Sequence, residues 1–207
     1  GQHHVGDNPT QAPSTGNIGP AGSSTEKLDA TIAARAGGAT GSGSFTGLTA
    51  GSTDSTDLLV GLAGAQDGLR NGGVVLGLAS DGAGVDSFTP TPLQAQTITV
   101  TGTLFNYATA ATAGTVDFGT HHVLDTLSQA LTIANTGVAD GFTENLDVGF
   151  AGTTGAVTAG GSIDLLGAGG SDASSLTIGL SAAQDGVRTG TATLALRSDG
   201  SGIDNLG

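Results

Sequence analysis

The chain has 207 residues with a formal net charge of −13, including 38 Gly and a single Lys, and it has no Cys, Met or Trp. A nucleic-acid surface needs clustered Lys and Arg, so this charge argues against one; no apolar run approaches the roughly 20 residues that span a bilayer; without Cys there are no disulfides, no thiolate catalysis and no zinc–Cys site. Only 11% of residues are charged, against about 25% in ordinary soluble domains. The surface is therefore expected to be mostly Ser, Thr, Asn and Gly, as in secreted bacterial surface and matrix proteins. With no Met, the chain reads as a mature or excised product whose signal peptide is already gone.

Shifted by 118 residues, the chain matches itself without a gap, with 39 of 89 aligned positions identical. Such a duplication decides the architecture before any single element does. In chain order, GQHHV at 1–5 falls on GTHHV at 119–123, and EKLD at 26–29 on ENLD at 144–147. The first copy carries Pro9, Pro13 and Thr15 where the second has Leu127, Leu131 and Ile133, which puts its first long strand in question. LDATIAARA (28–36) could pass for a short helix, but its partner LDVGFAGTT (146–154) could not, so both are expected to be strands. Leu58, Val60 and Leu62 alternate on one strand, and Val74, Leu76 and Leu78 on another. AQDGLRNG (65–72) and SDGAGVD (80–86) read as turns. LQAQTITVTGTL (93–104) is among the clearest strands, with Thr97, Thr99 and Thr101 alternating against Ile98 and Val100. FNYATAATAG (105–114) reads as a linker before TVDF (115–118). The second copy then repeats the pattern with Leu131 and Ile133, with Leu146, Val148 and Phe150, with Leu176, Ile178 and Leu180, and with Ala192, Leu194 and Leu196.

Many short strands with turns every 8–12 residues predict an all-β chain of two antiparallel β-sandwiches. The predicted boundaries are 1–104, a linker over 105–115, and 116–207. The second copy lacks counterparts of 90–118 and so its final strand. With six Phe and one Tyr in the chain, each core should be light.

The stretch VDFGTHHVLDTLSQALTIANTGVADGFTENLD (116–147), the strand and turn GTATLALRSDGSGID (190–204) and the strand LQAQTITVTG (93–102) resemble bacterial choice-of-anchor D repeats, relatives of the hydin-type immunoglobulin-like domains. The resemblance covers nearly all of the chain. It implies tandem immunoglobulin-like sandwiches in large secreted or surface-anchored proteins. Its motifs are structural, so it speaks to fold more than to function.

Three sets of residues are candidates for chemistry. His3–His4 and His121–His122 sit at equivalent places, but strand neighbours point to opposite faces and no carboxylate joins them at ligand spacing; a strand with one half-buried and one exposed His is expected, with metal binding between the copies as the alternative. Asp81 and Asp86, with Asp199 and Asp204, flank equivalent acidic loops. Calcium is the ion such loops suit, yet it needs six to eight oxygens and each loop brings two carboxylates, so a cation site and a plain Asp-Gly turn both stand. Asp67–Gly68 and Asp185–Gly186 read as tighter turns. No nucleophile motif, paired-carboxylate context or phosphate loop is present, so no enzyme and no cofactor other than calcium is expected. Tyr107 is the only Tyr and there is no Trp, which leaves no aromatic platform for sugar rings.

The remaining signal is the unfinished second copy. A sandwich without its last strand presents unpaired backbone groups and an apolar groove. Leu194 and Leu196 would border that groove, and leaving two such side chains uncovered costs roughly 3–6 kcal/mol. The candidate complementing strand is Thr97, Ile98, Thr99, Val100 and Thr101. The reading is an extracellular structural subunit that polymerises head to tail with copies of itself by strand complementation. The alternative is a fragment of a large repetitive surface adhesin, acting as a spacer or as a stalk for a glycan or host-surface ligand.

Overall fold

The computed structural model describes residues 1–112 and 114–206. Seventeen strands and no helix occur among them, and so among the described residues no helix is long and apolar enough to cross a membrane. The chain divides into two compact units, Gly1–Leu104 and Phe105–Gly207. Each is an antiparallel β-sandwich of immunoglobulin-like type.

The second unit shows the plan with least interruption. Its strands are β11 (Ala110–Thr112), β12 (Thr126–Asn135), β13 (Asn145–Thr153), β14 (Val157–Gly160), β15 (Ile163–Leu166), β16 (Ser171–Ser181) and β17 (Ala192–Asp199). One sheet runs β11-β12-β16-β14 and the other β15-β13-β17. These orders match the A-B-E-D sheet and the inner strands of the C-F-G sheet of an immunoglobulin sandwich. β14 and β15 are two halves of one strand that changes sheets. The corner is Gly161, at φ +98°, where an added Cβ would lie 1.9 Å from the Ser175 carbonyl oxygen. Only glycine makes that turn without collision. Leu131, Ile133, Leu146, Val148, Ile163 and Leu176 form the core between the sheets.

The first unit repeats the plan in β1 (Gln2–His4), β2 (Thr10–Gln11), β3 (Thr15–Gly16), β4 (Lys27–Gly37), β5 (Ala39–Leu48), β6 (Thr53–Asp54), β7 (Leu58–Leu62), β8 (Gly68–Asp81), β9 (Thr91–Pro92) and β10 (Gln96–Phe105). Here the strand that changes sheets stays continuous. Residues 39–43 of β5 pair with β7, and residues 44–48 with β4. Its corner, Gly43, has φ +103° and the same 1.9 Å approach, to the Asp57 carbonyl oxygen. The sheet order β1-β10-β8-β4-β5-β7-β2 follows from that continuity, with β9 beside β8 and β3 paired to β6.

Register confirms the duplication. Thr10↔Gly61 and Thr15↔Asp54 recur 118 positions on as Ser128↔Gly179 and Ile133↔Asp172. β2 and β3 are therefore the two surviving pieces of the strand that is unbroken as β12. Pro9 lies just before β2 and Pro13 lies between the pieces; neither has an N–H to give to a ladder.

The stretch 105–115, expected as a linker, is instead built into the second unit over its described part. Phe105 is 4% exposed, and its ring centroid lies 5.8 Å from that of Phe142. Asn106 bridges to Thr143, and β11 pairs with β12. The physical reason is in the side chains: Ala108 and Ala110 are small enough to pack against the core beneath. Ala113, within that stretch, lies outside the described residues.

Candidate strand-acceptor edge

β8 and β17 are equivalent strands in different surroundings. β8 is held on both sides. β4 pairs with its residues 72–81, and β10 pairs with residues 68–76, from Gln96↔Leu76 to Leu104↔Gly68. β17 pairs with β13 alone, from Asn145↔Asp199 to Thr153↔Ala192. Among the described residues no strand lies along its other edge. The consequence is visible in strand length. Gly68–Asn71 belong to β8 because β10 binds them, whereas their counterparts Gly186–Thr189 are not strand.

Beside β17 the two sheets of the second unit stand apart over a groove of about 510 Å³. One rim is 114–119 and the other is 188–194. Leu131, Phe150, Val157, Ile178 and Leu180 lie along it between those rims. Leu194 lines this groove and packs partly against the core. Leu196, 50% exposed, sits further along β17 and outside the groove lining. Its counterpart Leu78 has what Leu196 lacks: the Leu93 N–H donates to the Leu78 carbonyl oxygen at 2.8 Å as the chain enters β10.

The strand candidate 97–101 is inside β10, in the first unit. Ile98 and Val100 are half-buried against the Ala39, Val60 and Val74 cluster, while Thr97, Thr99 and Thr101 face out. That alternation defines what the groove beside β17 would receive: an extended strand whose every second residue is apolar. The β8–β10 register, carried over by 118, would set those residues opposite Ala192 and Gly190.

The His pairs part company. His3–His4 lie in β1, which pairs with β10. His121–His122 are in no strand and both are exposed, which corrects the expectation that they share the strand fate of the first pair. The reason is the missing neighbour: β1 is ordered on β10, and β17 has no such strand beside it. His121 instead meets the Phe118 carbonyl oxygen at 2.5 Å and the Asp125 carboxylate at 3.5 Å.

The four loop aspartates close turns. The Ala83 N–H donates to Asp81 Oδ1 at 2.9 Å and the Phe88 N–H to Asp86 Oδ1 at 3.0 Å. The Ser201 N–H donates to Asp199 Oδ1 at 2.8 Å and the Leu206 N–H to Asp204 Oδ1 at 2.9 Å. At the centre of each loop one carbonyl, of Gly82 or Gly200, accepts three N–H groups. Hydrogen bonds from Ser201, with the Arg197 charge nearby, hold the Asp199 carboxyl below the usual range. In both Asp-Gly turns the glycine takes positive φ, +89° at Gly68 and +94° at Gly186.

What sequence reasoning missed is the double use of the segment between the copies. It supplies β10 to the first unit and β11 to the second. The one signal that could have shown it is the run of Ala and Thr over 108–112, which has neither the charge nor the Gly and Pro of a solvated linker.

No protein family matches this chain, and no curated protein matches it. A solved structure of the chaperone–tip adhesion subunit pre-assembly complex from archaic chaperone-usher Csu pili of Acinetobacter baumannii aligns with 94% of this chain and 95% of the matched chain, at 8% identity and a TM-score of 0.32.

Proposed function

We propose that the protein is an extracellular structural subunit, not an enzyme, and that it joins its neighbours head to tail by accepting a β-strand along β17. One observation carries this reading: the edge that β10 covers on β8 has no strand beside it on β17 among the described residues, and it runs beside a groove lined by Leu131, Phe150, Val157, Ile178 and Leu180. Exposed edges are normally guarded by Lys, Pro or bulges. Residues 191–196 of this edge (TATLAL) hold no charge and no Pro. Main-chain pairing would supply affinity, and the groove would select apolar residues at alternate positions.

The donor is not the chain's own β10. Moving that strand would open the first unit while closing the second, leaving the number of uncovered edges unchanged. The donor is a further strand of the same pattern that reaches β17 from outside the two units. A second reading, a spacer within a long repetitive surface protein, is favoured by the segment 96–112, which serves two successive units of one polypeptide.

The test is a synthetic peptide of residues 94–105 added to the full chain. Binding of one peptide per chain, with slower amide hydrogen exchange at 186–194, is the expected result. No binding at millimolar peptide, with exchange there unchanged, refutes strand addition. If the peptide binds but a chain extended ahead of residue 1 by a second copy of residues 90–118 stays monomeric, the spacer reading replaces the polymer.

A further inference from the structure

We infer that Thr89 and Thr91 form an O-glycosylation site, carried by the segment SFTPTPL (87–93) in the loop that joins β8 to β10. The inference stands whether or not β17 accepts a strand.

The sequence singles this segment out. The chain has five Pro, and only Pro90 and Pro92 follow a hydroxyl residue. Proline drives the residue before it into extended backbone, so Thr89 and Thr91 are both preset in the form in which an enzyme groove takes a peptide. Thr and Pro together are the composition of O-glycosylated segments. N-linked sugar has no acceptor in this chain: its one Asn-X-Ser/Thr triplet, Asn8-Pro9-Thr10, has Pro in the middle.

The loop is fixed at both ends and open between them. At its start the Gly82 carbonyl accepts the N–H groups of Val85, Asp86 and Ser87, and Asp86 Oδ1 accepts that of Phe88 at 3.0 Å. At its end Thr91 and Pro92 pair with Ser80 and Ala79, and the Leu93 N–H donates to the Leu78 carbonyl oxygen at 2.8 Å. Every residue from Asp86 to Thr97 is exposed. Among the described residues neither Thr89 Oγ1 nor Thr91 Oγ1 takes part in a hydrogen bond, so both hydroxyls are available as nucleophiles. Thr97, Thr99 and Thr101 are exposed too, but β10 runs between β8 and β1, and no enzyme groove can close on its backbone.

The surroundings favour sugar over phosphate. Phe88 is 71% exposed and Leu93 45%, in a stretch (87–95) that carries no charge. A sugar ring on Thr89 can lay its C–H face on a neighbouring aromatic side chain while its hydroxyls meet water, which is the cover these apolar residues lack. A phosphate would add negative charge to a chain at −13, beside Asp86, and residues 82–95 hold no Lys or Arg to pair with it. Lys27 Nζ stands against Gly84, in the turn rather than at the threonines.

In the transfer, Thr Oγ1 bonds to the anomeric carbon of a nucleotide-diphosphate sugar. The bond from that carbon to the diphosphate oxygen breaks, and the hydroxyl proton passes to a base of the transferase.

The test is peptide mass measurement on the full chain purified from the cells that naturally make it, compared with the double variant Thr89→Val and Thr91→Val made in the same cells. Valine keeps the β-branched shape and removes only the hydroxyl, and an unchanged urea midpoint checks that the fold is kept. The expected result is a sugar mass on the peptide spanning 82–104, placed on Thr89 or Thr91 by fragmentation and lost in the double variant. Fragmentation of the unaltered chain locates the sugar directly, so the outcome does not depend on how the variant folds. A bare 82–104 peptide, a phosphate mass in place of sugar, or a sugar placed on another residue of that peptide overturns the site.

Discussion

Leu76 and Leu194 are the same residue at the same place in two copies, and they should respond differently to the same change. Leu76 is 4% exposed and belongs to the cluster with Leu28, Phe45 and Leu58. Leu76→Ala leaves a cavity in a packed interior, which costs about 3–4 kcal/mol. Leu194 borders the groove of about 510 Å³. Water already reaches that space, so Leu194→Ala loses only part of the transfer energy of the removed carbons, about 1–1.5 kcal/mol. The gap of about 2 kcal/mol is roughly a thirtyfold difference in the opening equilibrium. Native-state hydrogen exchange in urea, read separately on β8 and β17, measures both changes in one chain. When the 94–105 peptide is bound, the cost of Leu194→Ala should climb toward that of Leu76→Ala, because the added strand closes the groove over it. Equal costs in the peptide-free chain would show that the groove does not relieve Leu194. An unchanged cost with peptide bound would show that the strand does not lie where β10 lies in the first unit.

Two further predictions concern the backbone and acid. Gly43→Ala and Gly161→Ala each place a Cβ 1.9 Å from a carbonyl oxygen at positive φ, so each should cost at least about 3 kcal/mol in urea unfolding. Leu165, at φ +55°, stands where the first copy has Gly47 at φ +72°; Leu165→Gly should accordingly stabilise the second unit by about 1 kcal/mol. The Asp54 and Asp172 carboxyls, equivalent in the two copies, are held below the usual carboxylate range, chiefly by the backbone N–H groups of Asp57 and Ser174 respectively. A depressed folded pKa contributes stability above the unfolded value and loses it as pH falls through the folded one. Melting temperature should therefore be flat with respect to these groups above about pH 5 and drop below about pH 4, and Asp172→Asn should flatten that drop. An acid limb unaltered by the substitution would exclude this carboxyl as a cause.

Much of the fold was legible because β-structure writes its faces into alternate residues. Leu58, Val60 and Leu62 lie in β7, and Ile98 and Val100 face inward on β10, as their spacing predicts. Pro9 and Pro13 flag the broken strand for a purely local reason, the missing N–H. The acidic loops were legible as turns for the same kind of reason, since an aspartate can bond the N–H two residues ahead. The linker was misread because Ala and Thr specify little by themselves; what places 105–112 in the second unit is the receiving set of Asn135, Glu144 and Ser198, distant in sequence.

The amino-acid order alone settled the duplication, the positions of the Asp-Gly turns, and which side chains can share a face. Only the tertiary structure decided that His3–His4 is strand while His121–His122 is not, that Gly68–Asn71 is strand while Gly186–Thr189 is not, and that one of two equivalent leucines is sealed. A turn is made by bonds between residues a few places apart, so its cause lies in the local sequence. A strand persists through the partner beside it, and identical residues with and without that partner adopt different states.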